Sequence, residues 1–203
     1  MTRSIPAVIL EADDVAETEI FLKALGVDDR VRVRPAQEPA SGFRGYSLSL
    51  VVSQPGVVDA YLRAALDAGG TQVKAASKSF WGYGGSFRAP DGTVWTVASS
   101  KKKDSGASNL QYDELVLLLG VDDVKATRQL YVEQGLEVGK RFGSKYVEFK
   151  APTGPGVKLA LQSRRAVAKN AGVDAEGSGS HRLAILSDGP PFTDPDGYEW
   201  ESR

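Results

Sequence analysis

The apolar and polar positions of this chain fall into short blocks, and each block carries one periodicity. "AVILEA" at 7–12 is a brief apolar run, too short for a helix and strand-like in length. Asp13 and Asp14 follow, and either one can cap the free N–H groups that open a helix. Val15, Ile20, Phe21, Leu22 and Leu25 then form an apolar stripe, and Gly26 stops the helix. "RVRVR" at 30–34 alternates as a strand does. "YSLSLVVSQPGVVDAYLRAALDAGG" at 46–70 reads again as strand, turn and helix, with Val57, Tyr61, Leu62, Ala65 and Leu66 as its buried stripe. The strands "TQVKAAS", "GYGGSFRA" and "VWTVAS" complete the block, so the first half predicts strand–helix–strand–strand–strand twice over.

The second half repeats the first. Asp13-Asp14-Val15 recurs as Asp122-Asp123-Val124, and Gly26 as Gly135, an offset of 109. "PDGTVWT" at 90–96 recurs as "PDGYEWE" at 195–201, an offset of 105. The opening strand becomes "ELVLLLG", the helix carries Val124, Leu130 and Tyr131, and "KYVEFKA" and "VKLALQS" are strands. The later strand "HRLAILSD" runs straight into "GPPFTDPDG", which leaves no room for a helix in the last module. An insertion, "RRAVAKNAGVDAEGSG", precedes it and predicts a short helix followed by a Gly/Ser loop. "SSKKKDSGASN" at 99–109 reads as a linker. The predicted plan is two tandem domains, 1–100 and 110–203, joined through 101–109.

Composition narrows the chemistry. The chain has 203 residues, a net charge of -1, no Cys and one His. Thiolate chemistry and multi-His metal sites within one chain are thereby excluded, and no global charge favours nucleic acid or membrane. "MTRSIPAVILEADD" has neither the pattern of a secretory signal nor a membrane span, so a cytoplasmic protein, monomer or homodimer, is the expectation.

The opening strand with its Asp-capped helix, the HRLAILSD strand and F-x-D-P-D-G-x-x-W-E together resemble the vicinal oxygen chelate superfamily: glyoxalases, bleomycin-resistance proteins and extradiol dioxygenases. The resemblance implies an α+β fold of tandem paired βαβββ modules, with curled mixed sheets enclosing a cleft. It also implies metal ligands on the first strands and just after the PDG turn. His181, seven residues before Asp188, and Glu201 match two of these places. The third falls on Val116, which cannot bind a metal; Glu114, two residues earlier, shares its strand face. His181, Glu201 and Glu114 are therefore the candidate ligands for one divalent metal (Zn, Ni, Fe or Mn). Such an ion would serve lyase, isomerase or dioxygenase chemistry as a Lewis acid, with Glu201 as the catalytic carboxylate. The corresponding first-half positions, Ala7, Ser47 and Thr96, offer no transition-metal ligand set.

Alternatives stand beside this reading. His181 and Glu201 can hydrogen-bond each other across a sheet, and Glu199 fits a polar cleft mouth. "SFWGYGGSF" at 79–87 offers Trp81 and Tyr83 to a flat small-molecule ligand, or uses its rings to cover a sheet. Arg30, Arg32 and Arg34 give one strand a basic face. Trp95 and Trp200 fall on the strand face opposite Thr96 and Glu201 and are expected as core. The functional expectation is a small-molecule-binding protein with a metal in its second half, or a metal-free, ligand-sequestering protein of the antibiotic-resistance type.

Overall fold

A computed structural model describes residues 3–150 and 154–203. The first module runs β1 (Ala7–Ala12), α1 (Val15–Ala24), β2 (Val31–Pro35) and β3 (Ala40–Gly42). The second runs β4 (Tyr46–Val51), α2 (Pro55–Asp67), β5 (Thr71–Ser79), β6 (Gly82–Arg88) and β7 (Val94–Ser99). The third runs β8 (Glu114–Val121), α3 (Val124–Glu133), β9 (Val138–Phe142), β10 (Tyr146–Phe149) and β11 (Lys158–Ser163). The insertion supplies α4 (Arg164–Ala171) and β12 (Gly177–Gly179); the last module is β13 (Leu183–Ser187), β14 (Phe192–Thr193) and β15 (Glu199–Ser202), without a helix. The expected strand KYVEFKA reaches Ala151, which lies outside the described residues.

The duplicated Asp pair does what its position predicts. Asp14 accepts from the Glu17 amide at the start of α1, and Asp123 accepts from the Lys125 and Ala126 amides at the start of α3. Gly26 ends the first helix at φ 65°, a conformation that favours glycine. Phe21, Leu22 and Leu25 are buried, but Ile20 is 68% exposed. Ile20 lies outside the i, i+3, i+4, i+7 stripe that Thr18 begins, so it faces solvent. Leu66 leaves the α2 stripe in the same way.

Strand pairing departs from the order along the chain. β4 pairs antiparallel with β8, joining the second and third modules in one sheet, ordered β5-β6-β7-β4-β8-β11-β10-β9. β1 pairs antiparallel with β13, joining the first module to the last in a sheet ordered β14-β15-β13-β1-β2. Each opening strand takes a parallel partner on one edge: β2, β7, β11 or β15. Its other edge stays open, and these edges close in pairs across the two halves. The first module is also shorter than predicted. β2 lies directly beside β1, and β3 leaves to form a separate ribbon with β12.

Alternation assigns the faces. Leu48, Leu50, Trp95, Leu117 and Leu159 belong to one continuous core with Val8, Ile185 and Trp200. Ser47, Ser49, Thr96, Val116 and Leu118 fall on the inner face of the eight-stranded sheet. Glu11, Arg34, Glu199 and Glu201 fall on the inner face of the five-stranded one. The linker is tied down. Asp104 accepts from the Gly56 amide at 2.6 Å, and Gln54 donates to the Gly106 and Ala107 carbonyls at 2.9 Å.

Candidate functional site

Two clefts follow from this pairing, and they differ in chemistry. The five-stranded sheet borders a cavity of about 400 Å³, where Glu11, Arg34, Glu38, His181, Asp196 and Glu199 meet. Arg34 lies between two carboxylates. Its guanidinium is 2.7 Å from Glu11 and 2.7 Å from Glu201. Partial burial acts to lower its pKa, but hydrogen bonds to Glu201 and Glu11 outweigh this and the net shift is upward. Burial also raises the Asp196 carboxyl above its ordinary range, although the amide of Asp122 donates to it.

His181 does not stand on the strand that the sequence assigns to it. β13 begins at Leu183, and Arg182 takes a left-handed φ of 51°, which turns the chain before the sheet starts. Arg182 is held there by Asp13 at 2.9 Å and by the Glu38 carbonyl at 3.0 Å. The imidazole stacks on Tyr198 at 4.0 Å. Its Nδ1 lies 2.5 Å from the Arg44 carbonyl and its Nε2 lies 2.9 Å from the Asp196 carbonyl. Both partners are carbonyl oxygens and accept only, so the two contacts fix the ring's orientation. Tyr198 continues the clasp by donating to the Gly45 and Gly120 carbonyls at 2.7 and 3.1 Å.

Glu114 lies on β8, in the other sheet. Lys158 Nζ donates to both its oxygens at 3.1 Å and also approaches Glu148 at 2.8 Å. Burial acts to raise the Glu148 pKa, but hydrogen bonds from Lys158 and Tyr146 prevail and hold it below the ordinary value. The structure thus leaves the three candidate ligands in three separate networks. A metal needs a free lone pair on the imidazole and carboxylates without a resident cation. His181 is engaged at both nitrogens, Glu201 is occupied by Arg34 and Glu114 by Lys158, so this donor set does not fit a metal. Among the described residues, no group of three or more His, Asp or Glu side chains is placed to hold one. Glu199 is exposed and lines the acidic cavity.

The eight-stranded sheet forms the second cleft, about 290 Å³ in volume. Its floor carries Ser47, Ser49 and Thr96, with Thr96 Oγ1 donating to Ser49 Oγ at 2.8 Å. Ser47 is 1% exposed, lines the cavity, and its hydroxyl has no hydrogen-bond partner among the described residues. One wall is the β5–β6 hairpin, where Trp81 is 81% exposed and Phe80 meets it edge-on at 5.1 Å. Tyr83 lines the same wall, its phenol donating to Asp59 at 2.8 Å. That hydrogen bond raises the Tyr83 pKa. The opposite wall is α4.

The insertion therefore has a definite place. Val167, Ala168 and Ala171 of α4 pack with Phe43 and Val94 beside Leu118, filling part of the inner face. Ser86 donates to the Ala171 carbonyl at 2.5 Å, and Arg164 holds the Ala175 carbonyl at 2.8 Å. Asn170 is left at the cavity edge. The pairing of Arg34 with Glu11, and the cavity-lining positions of Ser49 and Asn170, were not expected from the sequence. The alternation in RVRVR placed Arg34 on a common face with Arg30 and Arg32, but its carboxylate partners lie on β1 and β15.

Solved structures share this architecture. Glyoxalase I from Zea mays matches with 12% identity and a TM-score of 0.62, over 98% of this chain and 91% of that one. A single-residue variant of the same maize enzyme matches with 13% identity and a TM-score of 0.64, over 99% of this chain and 92% of that one. The fold is that of these glyoxalase I structures, as the resemblance of the repeated motifs implied, and at this identity the likeness is one of fold alone. No protein-family model matches the sequence, nor does any curated protein.

Proposed function

We propose that this chain is a metal-independent small-molecule-binding protein whose site is the cleft of the eight-stranded sheet. The observation that carries this reading is Ser47, whose hydroxyl makes no hydrogen bond among the described residues and opens onto that cleft beside Ser49 and Thr96. A ligand atom that hydrogen-bonds this hydroxyl exchanges it from water, a net gain of about 0.5–1.5 kcal/mol. Trp81 and Tyr83 add ring surface, and α4 limits the ligand to one or two rings. This supports the sequestering reading over catalysis by a metal at Glu201.

The test is an aromatic-fragment screen followed by amide NMR. Shifts should cluster at Ser47, Thr96, Trp81 and Asn170. Ser47→Val and Trp81→Ala should each weaken binding at least fivefold, about 1 kcal/mol, with the fold retained. Hits confined to the Glu11–Glu199 cavity, or no hits at all, would overturn it.

A second reading is a divalent-metal lyase, isomerase or dioxygenase in the acidic cavity. Glu11, Glu199 and Asp196 bordering one space favour it. It requires Arg34 to release Glu201, and Arg34→Ala should then raise divalent-metal affinity and reveal activity together.

A further inference from the structure

The two cavities differ in charge. Glu11, Glu38, Asp196 and Glu199 line the first, against Arg34. No carboxylate lines the second, and its one charged lining residue is Lys74, which makes no ion pair among the described residues. The remaining polar groups there are mostly hydroxyls. Ser49 accepts from Thr96, so its own proton is free to donate, and Ser47 has no partner. Gly84 leaves part of the lining as bare backbone beside Ala98.

We infer that the cleft takes a planar aromatic anion, such as an aryl carboxylate, with its ring beside Trp81 and its carboxylate toward Ser47, Ser49 and Lys74. This rests on the reading of that cleft as the ligand site and adds the charge of the ligand. Charge-assisted hydrogen bonds to a carboxylate are roughly twice as strong as neutral ones. A cation would instead meet Lys74 here and four carboxylates in the other cavity. The acidic cavity therefore repels the same ligand that the hydroxyl-lined one accepts.

Three probes of one shape separate these effects: 2-naphthoate, 2-naphthamide and 2-naphthylmethylammonium, titrated against the full chain and followed by amide and Trp indole NMR. The naphthoate should bind at least about tenfold more tightly than either of the others, roughly the gain of one charge-assisted contact. It should shift Ser47, Trp81 and Thr96. Lys74→Gln should erase that preference while the amide still binds. Equal binding of all three, or preference for the ammonium probe, would overturn the inferred ligand charge and leave the site intact. Binding of none would overturn the cleft as a small-molecule site, and the inference with it. A preference unchanged in Lys74→Gln would overturn the anchoring role of Lys74.

Discussion

Replacing Arg34 by methionine removes the one cation held between Glu11 and Glu201. The Glu11 side chain is 9% exposed, against 32% for Arg34. Two unit charges about 4 Å apart at an effective dielectric of about 20 attract by roughly 4 kcal/mol. Ordering an arginine side chain takes back about 2 kcal/mol of rotamer entropy. The Glu11 pair thus contributes about 2 kcal/mol. The Glu201 side chain is 36% exposed, so its pair is discounted for solvent screening to below about 1 kcal/mol. Arg34→Met should lose about 2–3 kcal/mol in urea unfolding. In a double-mutant cycle with Glu11→Gln, the coupling should be about 2 kcal/mol and should change little with added salt. A coupling below about 0.5 kcal/mol would refute the claim that the guanidinium is an integral cation of that sheet.

His181→Ala should cost about 2–3 kcal/mol, from two hydrogen bonds and the Tyr198 stack, and should leave ligand affinity in the second cleft unchanged; lost affinity in a stable variant would contradict a structural role. Against the effect of burial, hydrogen bonds from Lys158 and Tyr146 hold the Glu148 carboxyl below the ordinary glutamate range in the folded chain. Its contribution is therefore complete above the unfolded value and is lost as pH falls through the lower folded one, so Glu148→Gln should flatten the acid limb of stability against pH. An unchanged acid limb would show that Lys158 does not depend on it. Gly82→Ala places a Cβ 2.0 Å from the Ser99 carbonyl at φ 144°, so it should disorder the Trp81 hairpin and weaken binding; a neutral effect in thermal melts and titration would contradict the hairpin's role as a wall.

The elements were legible because each carries a local signal. The Asp pairs cap helices, the alternating runs make strands, and duplication confirms both. Trp95 and Trp200 are core residues, as their alternation with Thr96 and Glu201 requires. The absence of a helix between β13 and β14 was visible in the short span from His181 to Phe192. The order in which sheets close was not legible, since every opening strand has a similar apolar face and pairing is decided by long-range edges. This is why Glu114 and Glu201, both counted to the second half, stand on different sheets. His181 lies off the strand for a local reason: the count of seven to Asp188 assumes extended backbone, and Arg182 interrupts it at φ 51°. The insertion announced a helix by its composition, but nothing in RRAVAKNA says that this helix lies in a cleft.

The most direct measurement is metal binding by the intact protein. Protein produced with Mn, Ni, Zn and Fe supplied in turn, and purified without chelator, should contain well under one equivalent of each, and calorimetric titration with Mn or Ni should show no stoichiometric binding. Arg34→Met should leave this unchanged, since no group of three ligating side chains stands there among the described residues. One equivalent of metal in the wild type, lost in Glu201→Gln, would contradict a metal-independent protein.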